Sequence, residues 1–459
     1  MRSRATLGLG LGAIAAGVGA ALGSGALFDN SFLTHLATGR LIVDGTLPRT
    51  DPYTFTAAGD AWIVQSWLAS ALYGVLEDLG GLQAIRLLMV ASSAVLGAIS
   101  WALTSRAPSL LVRLGLTSVA LYIGSFAWPH RPLLLGLVGL GLAMLAAEGR
   151  MDARPLLVVG WTWVNVHGSW PMGLVALGCL YLGARLDGDE GLQERRSLVW
   201  LGGGMALGAL NPYGPALLLF PLDLLSRRES LEGIVEWQAV DFSRPTDWAF
   251  LLLLVLGIIG VRRNPTWRAT IPLVVFGAAA VTGLRNVPIC VLVILPGLAA
   301  GFGDIRAMSS DRSTPLGRPL VALGVVMIAV SVVSVGRTDD FADDRYPVAA
   351  DRWLRDNELD PADHRIVARE FVGNFFEARH GATGTVFIDD RIEVIPAAVV
   401  ADHRLLLRGA PGWEEALERY DPDAVLWELD SALAELLERD DDWTVTYRDD
   451  DWLIAVPAG

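Results

Sequence analysis

Apolar runs of about 18 or more residues recur along most of this chain, and no other feature limits its fold so much. A run of that length matches the hydrocarbon core of a bilayer, where a backbone must satisfy its own hydrogen bonds as helix. The chain has 459 residues, 53% hydrophobic and only 19% charged, which fits the same reading. Eleven runs can be drawn as spans: 7–28, 82–104, 109–127, 132–148, 155–167, 170–184, 197–210, 247–261, 269–284, 287–303 and 320–336. The expected fold class is therefore a polytopic α-helical membrane protein with about 11 spans. The first run follows Arg2 and Arg4 and could pass for a signal peptide. It is long, lacks a small-x-small cleavage site and leads into further spans, so it is expected to stay as the first helix. The stretch "WIVQSWLASALYGVLEDL", 62–79, is too short and polar for a span and is expected to lie at the membrane surface.

Every basic side chain other than histidine is an arginine, 36 in all, and their placement sets the topology. Residues 338–459 carry 30 acids against 12 arginines, a net of −18, whereas 1–337 carry 20 acids against 24 arginines, a net of +4. With the N-terminus inside, 15 of those 24 arginines fall in short inner connections, as the positive-inside rule asks. The expected domains are thus a membrane body, 1–337, with a first outer loop at 29–81, and an acidic α/β domain, 338–459, outside the plasma membrane. In that domain "ATGTVFIDDR" and "PDAVLWEL" read as buried strands. "PVAADRWLRDN", "GWEEALERY" and "DSALAELLERD" read as amphipathic helices, and "DWTVTYRDDDWLIAVP" as a hairpin. So acidic a domain excludes unaided binding of nucleic acid or anionic lipid. Cys179 and Cys290 lie in separate apolar runs and read as small core residues.

The same topology gathers the unusual polar clusters on the outer face. Asp29 ends the first run; it can cap the helix that follows or serve as a carboxylate at the membrane boundary. Asp51, in "PRTDPYTF", can start an Asp-Pro turn or join Asp29 in a site, and His35 can be a packed helix residue or a ligand. Arg131 in "WPHRP" and Arg285 in "LRNVP" can anchor helix ends at the headgroups or clamp a phosphate, with Asn286 beside the second. Asn165 and His167 in "NVHGSW" and Tyr213 in "NPYG" are either internal partners of the spans or substrate contacts. Glu236, beside Trp237 and Gln238, is the second carboxylate of the outer loops. "FIDDR", 387–391, puts Asp389, Asp390 and Arg391 at a strand's end, where a local ion-pair turn is the plainer reading. No Walker or Gly-x-Gly-x-x-Gly motif is present.

The stretch "DNSFLTHLATGRLIVDGTLPRTDPYTFTAAGDAW" resembles the first outer loop of the GT-C class of membrane glycosyltransferases. It has an acid, a helix, a Gly-x-x-Pro-x-x-Asp turn and a Gly…Trp return. The class includes the protein O-mannosyltransferases, the bacterial aminoarabinose transferases and the oligosaccharyltransferase catalytic subunits. The surface helix and the following "GLQAIRLL" share the likeness, which is carried mainly by residues 1–130. The resemblance implies a polyprenyl-phosphate-linked sugar as donor and an acceptor glycan, lipid or protein. It gives Asp29, and less directly Asp51, the role of base or metal ligand, and implies basic residues that hold the phosphate; a divalent cation belongs to that expectation. Many members carry a further acid in the second outer loop, where this chain has "WPHRP". The rival readings are a polysaccharide ligase or polymerase, a transporter, and a non-catalytic receptor.

Overall fold

The computed structural model describes residues 6–226, 237–305 and 315–458. They form two compact units. One takes in 6–27, 76–221, 237–305 and 315–340, and the other takes in 28–75, 222–226 and 341–458.

The first unit is all helix. Helix Leu7–Leu22 packs lengthwise on Gly317–Val335, and Leu156–Val166 packs on Leu192–Leu207. Val287–Gly301 is central, with almost every side chain buried. Among the described residues four helices are long and apolar enough to cross a membrane: Trp67–Arg106, Leu110–Ala127, Leu284–Gly301 and Gly317–Val335. The expectation of about 11 spans is corrected to that number, and the reason is length. Leu7–Leu22 and Pro171–Leu186 have 16 residues, Leu133–Ala147 has 15 and Leu156–Val166 has 11. At about 1.5 Å per residue these fall short of a core about 30 Å thick. Others are interrupted or polar: Trp267–Thr282 contains Pro272, and Leu192–Leu207 begins with Gln193, Glu194, Arg195 and Arg196. The helical run Trp67–Leu103 breaks where the sequence separates a surface helix from a span, because Gly81 adopts φ 64°, open to a residue without Cβ.

A buried cation holds the ends of this unit's helices together. Arg86 in "GLQAIRLL" has no exposed surface. Its guanidinium donates to the carbonyls of Ser24, Gly25, Val335 and Thr338, to Thr338 Oγ1 at 2.6 Å and to Asp340 Oδ1 at 2.9 Å. Helix C-termini present unpaired carbonyls and negative partial charge, and both helices that meet here end in such groups.

The second unit is built on a four-stranded sheet ordered β1-β2-β4-β3, where β1 is Ile366–Val367, β2 Ala424–Glu428, β3 Trp443–Arg448 and β4 Trp452–Pro457. β1 and β2 run parallel, and β3 and β4 form the expected antiparallel hairpin. The helices Val348–Asp356, Trp413–Glu418 and Ala432–Leu437 lie where the periodicity expects them. The strand expected over 382–391 is reduced to single bridges beyond β1: Val386 bridges Ile366 in parallel, and Thr54 of the first loop bridges Val386 in turn. The amides of Phe55 and Val386 close that pairing with bonds to Val386 O (3.0 Å) and Tyr53 O (3.1 Å). The loop thus lengthens the sheet, and helix Asn30–Val43 packs on Glu370–His380. Gly373 makes that layer possible: a Cβ there would stand 1.9 Å from the carbonyl oxygen of Ile388.

Candidate active site

Asp29 is the N-cap of helix Asn30–Val43, and its Oδ1 accepts the Ser31 amide at 3.0 Å. The first turn of that helix is held by side chains from the C-terminal part of the same unit. Ser31 Oγ donates to Asp390 Oδ2 at 2.5 Å, and Asn30 Nδ2 reaches the same oxygen at 3.3 Å. Asn374 Nδ2 donates to Asp390 Oδ1 at 2.6 Å and to Thr34 Oγ1 at 2.5 Å. Thr34 in turn donates to Glu377 Oε2 at 2.5 Å. Arg345 Nη2 donates to the carbonyl of Phe28 at 3.0 Å. The helix that carries Asp29 has little freedom left at its start. His35 lies one turn on, with Nδ1 3.1 Å from Ser70 Oγ.

Asp51 sits deeper in the same unit, 6% exposed. Its carboxylate accepts the amides of Tyr53 (3.3 Å) and Thr54 (3.1 Å) and the Thr54 hydroxyl (2.5 Å), which is the Asp-Pro turn of the sequence reading. It also accepts Arg391 Nη2 at 2.6 Å. Arg391 is bound as well to Asp389, at 2.5 Å and 3.0 Å, and lies between the rings of Trp62 (4.3 Å) and Tyr53 (4.9 Å). "FIDDR" is therefore a local ion pair that also reaches back 340 residues to the first loop.

Burial sets the protonation of this network. It drives Glu377 well above the usual carboxylate range, helped by the negative charge of Asp389. Asp389 is equally buried and burial raises it most, yet the charge of Arg391 and the hydrogen bonds from Glu377 and Arg391 together hold it below its ordinary value. Glu377 is the group that carries the proton, bonded to Asp389. Burial works against the charge on Arg391, but the buried carboxylates around it, Asp389 first and Asp51 with it, more than offset it. Burial also raises Asp390 and pushes Glu393 up to about 7.

The other expected site residues belong to the first unit. Arg285 stacks on Trp237, its guanidinium carbon 4.2 Å from the ring centre, and the Leu284 amide donates to Gln238 O at 3.0 Å. Two clusters read separately in the sequence are thus one feature. Asn286 Nδ2 donates to Ala279 O at 3.0 Å. Asn165 is fully buried and donates to Trp161 O at 2.7 Å. His167 ends helix Leu156–Val166, where its Nδ1 accepts the Ser169 amide at 3.0 Å. Tyr213 is fixed by its amide, which donates to Asn211 Oδ1 at 2.6 Å. Arg131 is half-buried in the turn before helix Leu133–Ala147, its carbonyl accepting the Leu134 amide at 2.9 Å. Glu236 lies outside the described residues. Among the described residues no three His, Cys, Asp or Glu side chains converge into a metal donor set. Asp51, engaged by Arg391, does not fit the part of a divalent-ion ligand.

The sequence reading missed Asn30, Ser31, Thr34, Asn374 and Glu377. The available signal was a buried acid, Glu377, inside the apolar stretch "FVGNFFEARH".

No protein-family model and no curated protein matches this chain by sequence. Solved structures do. The Archaeoglobus fulgidus oligosaccharyltransferase, crystallised with a tethered acceptor peptide containing the NVT sequon, superposes with a TM-score of 0.52 at 11% identity. The match covers 91% of this chain and 69% of that one. The arabinofuranosyltransferase AftD from mycobacteria gives a TM-score of 0.45 at 13% identity, over 95% of this chain and 40% of that one. The fold of this chain is therefore similar to that of the archaeal oligosaccharyltransferase over nearly its whole length.

Proposed function

We propose that the chain is an inverting membrane glycosyltransferase that takes a sugar from a polyprenyl-phosphate-linked donor and passes it to an acceptor on the outer face, with the C-terminal α/β domain on that side. What carries the reading is a carboxylate, Asp29, held at the head of a helix whose first turn is pinned by Asp390 and Asn374. A fold shared with an oligosaccharyltransferase supports it. In this reaction the acceptor's hydroxyl oxygen attacks the anomeric carbon as the bond from that carbon to the phosphate oxygen breaks. The electron pair leaves with the polyprenyl phosphate, and Asp29 takes the hydroxyl proton. In the first unit, Arg285 is assigned to binding lipid phosphate, a group that guanidinium fits in shape and charge. Trp237 beneath it keeps the guanidinium plane in place. Asp51 serves as support through Arg391.

The test is binding of a short polyprenyl phosphate to purified chain in detergent. Wild type should bind, and Arg285→Ala should bind at least tenfold more weakly while staying monodisperse. A wild type that takes up no polyprenyl phosphate overturns the reading and favours the receptor or transporter.

A further inference from the structure

The first unit contains a second cationic site, away from Arg285, that the proposed chemistry does not use. Helix Leu192–Leu207 presents Gln193, Arg196 and Trp200 at spacings of three and four, so they form a stripe on one face. That stripe borders a cleft of about 660 Å³ whose remaining wall is the turn after helix Leu133–Ala147, with Arg150, Asp152 and Arg154.

How the neighbouring arginines are partnered distinguishes the cleft. Arg106 pairs with Glu148, and Arg268 joins Glu148 at 2.8 Å to Glu194 at 2.7 Å. Arg263 pairs with Asp304. Inside the cleft, Asp152 is taken by Arg154. Arg150 and Arg196 form no ion pair among the described residues, Arg196 acting on Asp152 only at longer range, and both are exposed. The cleft thus holds three guanidiniums against one carboxylate. Its surroundings are apolar: Val158, shortly after Arg154, is 67% exposed, and Val199, beside Trp200, is 64% exposed. These exposed valines give the cleft an apolar border, and Trp is the side chain that favours the headgroup level of a bilayer.

We propose that this cleft binds the phosphate headgroup of an anionic membrane lipid, with Arg150 and Arg196 bonding the phosphate oxygens and Trp200 lying against the glycerol and upper acyl chain. Guanidinium groups satisfy phosphate oxygens with two parallel bonds, and a lipid-borne phosphate matches a cationic cleft bordered by apolar helix. The assignment does not depend on the glycosyltransferase reading.

The test uses the full chain in detergent, with retained lipid counted by native mass spectrometry against phosphatidylglycerol, phosphatidylcholine and, as a free phosphate, inorganic pyrophosphate. Wild type should hold phosphatidylglycerol over phosphatidylcholine, and Arg150→Gln/Arg196→Gln should weaken that binding about thirtyfold. Arg263→Gln, which alters net charge away from the cleft, should leave it unchanged. Equal retention of the two lipids, or a double variant that binds as wild type does, overturns the proposal. So does a control variant that falls as far as the double variant, because retention would then report net charge alone. Tighter binding of pyrophosphate than of phosphatidylglycerol assigns the cleft to a soluble phosphate and overturns the lipid assignment. The lipid and pyrophosphate comparisons on wild type stand even if the double variant fails to fold.

Discussion

Arg86 and Arg391, one in each unit, are almost completely buried, and each is neutralised differently. Arg86, in the apolar unit, is met chiefly by backbone carbonyls at helix ends, and its one carboxylate, Asp340, keeps a side chain 34% exposed. Arg391, in the acidic unit, is met by buried carboxylates and two aromatic rings. Most of the groups around Arg86 are carbonyl dipoles, which carry no net charge of their own. The Arg391 cluster is a set of coupled charges in which removing one member leaves the others buried and unpaired. The apolar unit spends its cation on joining helix ends. The acidic unit spends its own on tying the first loop to the domain that follows the last span.

The largest expected effect tests that difference directly. Arg391→Met should destabilise the protein by about 3–5 kcal/mol, since Asp51 and Asp389 lose their counter-charge in a buried site. Arg86→Met should cost less, about 1–3 kcal/mol, because Asp340 can turn to water and only the carbonyls are left short of donors. Denaturant unfolding followed by tryptophan fluorescence ranks the two. The reverse order would break the comparison.

Next in size is the pH dependence of the acidic unit. Glu393 is held at about 7 when folded, against 4.5 for its ordinary value. Between those values the unfolded chain has released the proton that the folded chain still holds. Its contribution is therefore present at low pH and is lost as pH rises from 4.5 to 7. His403, which burial holds down at about 3, acts with the opposite sign below its ordinary 6.5, so the absolute curve mixes the two. The difference between wild type and Glu393→Gln isolates the first. Relative to that variant, wild-type stability should fall by up to about 1 kcal/mol per pH unit over the window, read as Tm against pH. A constant difference would remove Glu393 from the account.

The smallest effect concerns the stacked pair of the apolar unit. Trp237→Ala should cost Arg285 about 0.5–2 kcal/mol of orientation, seen as up to about thirtyfold weaker polyprenyl-phosphate binding. A Trp237→Ala variant that binds as wild type does would make the stacking incidental.

Local pattern made some of this legible and chain-distant pairing hid the rest. The hairpin at 443–457, the strand at 424–428 and the break at Gly80–Gly81 are written in neighbouring residues, so the sequence showed them. Span number was overread because mean apolarity does not reveal where glycine, proline or a charged first turn shortens a helix to 11–16 residues. Asp51 and Arg391 were both noticed, each with a turn or local ion pair as its plain reading. Both local readings hold, and the bond between them, 340 residues apart, has no local signature. Asp29 was seen both as cap and as candidate base. It is the cap, and its chemistry remains a proposal that the cap geometry supports.

That proposal is reached most directly by turnover. Sugar release from a polyprenyl-phospho-sugar should be compared between wild type and Asp29→Asn, both monodisperse and both tested for polyprenyl-phosphate binding. Asparagine can keep the cap bond to Ser31 but cannot take a proton, so the account predicts unchanged binding and a rate lower by about 10²–10⁴-fold. An Asp29→Asn variant that binds and turns over as wild type does would contradict it and leave residue 29 a helix cap alone.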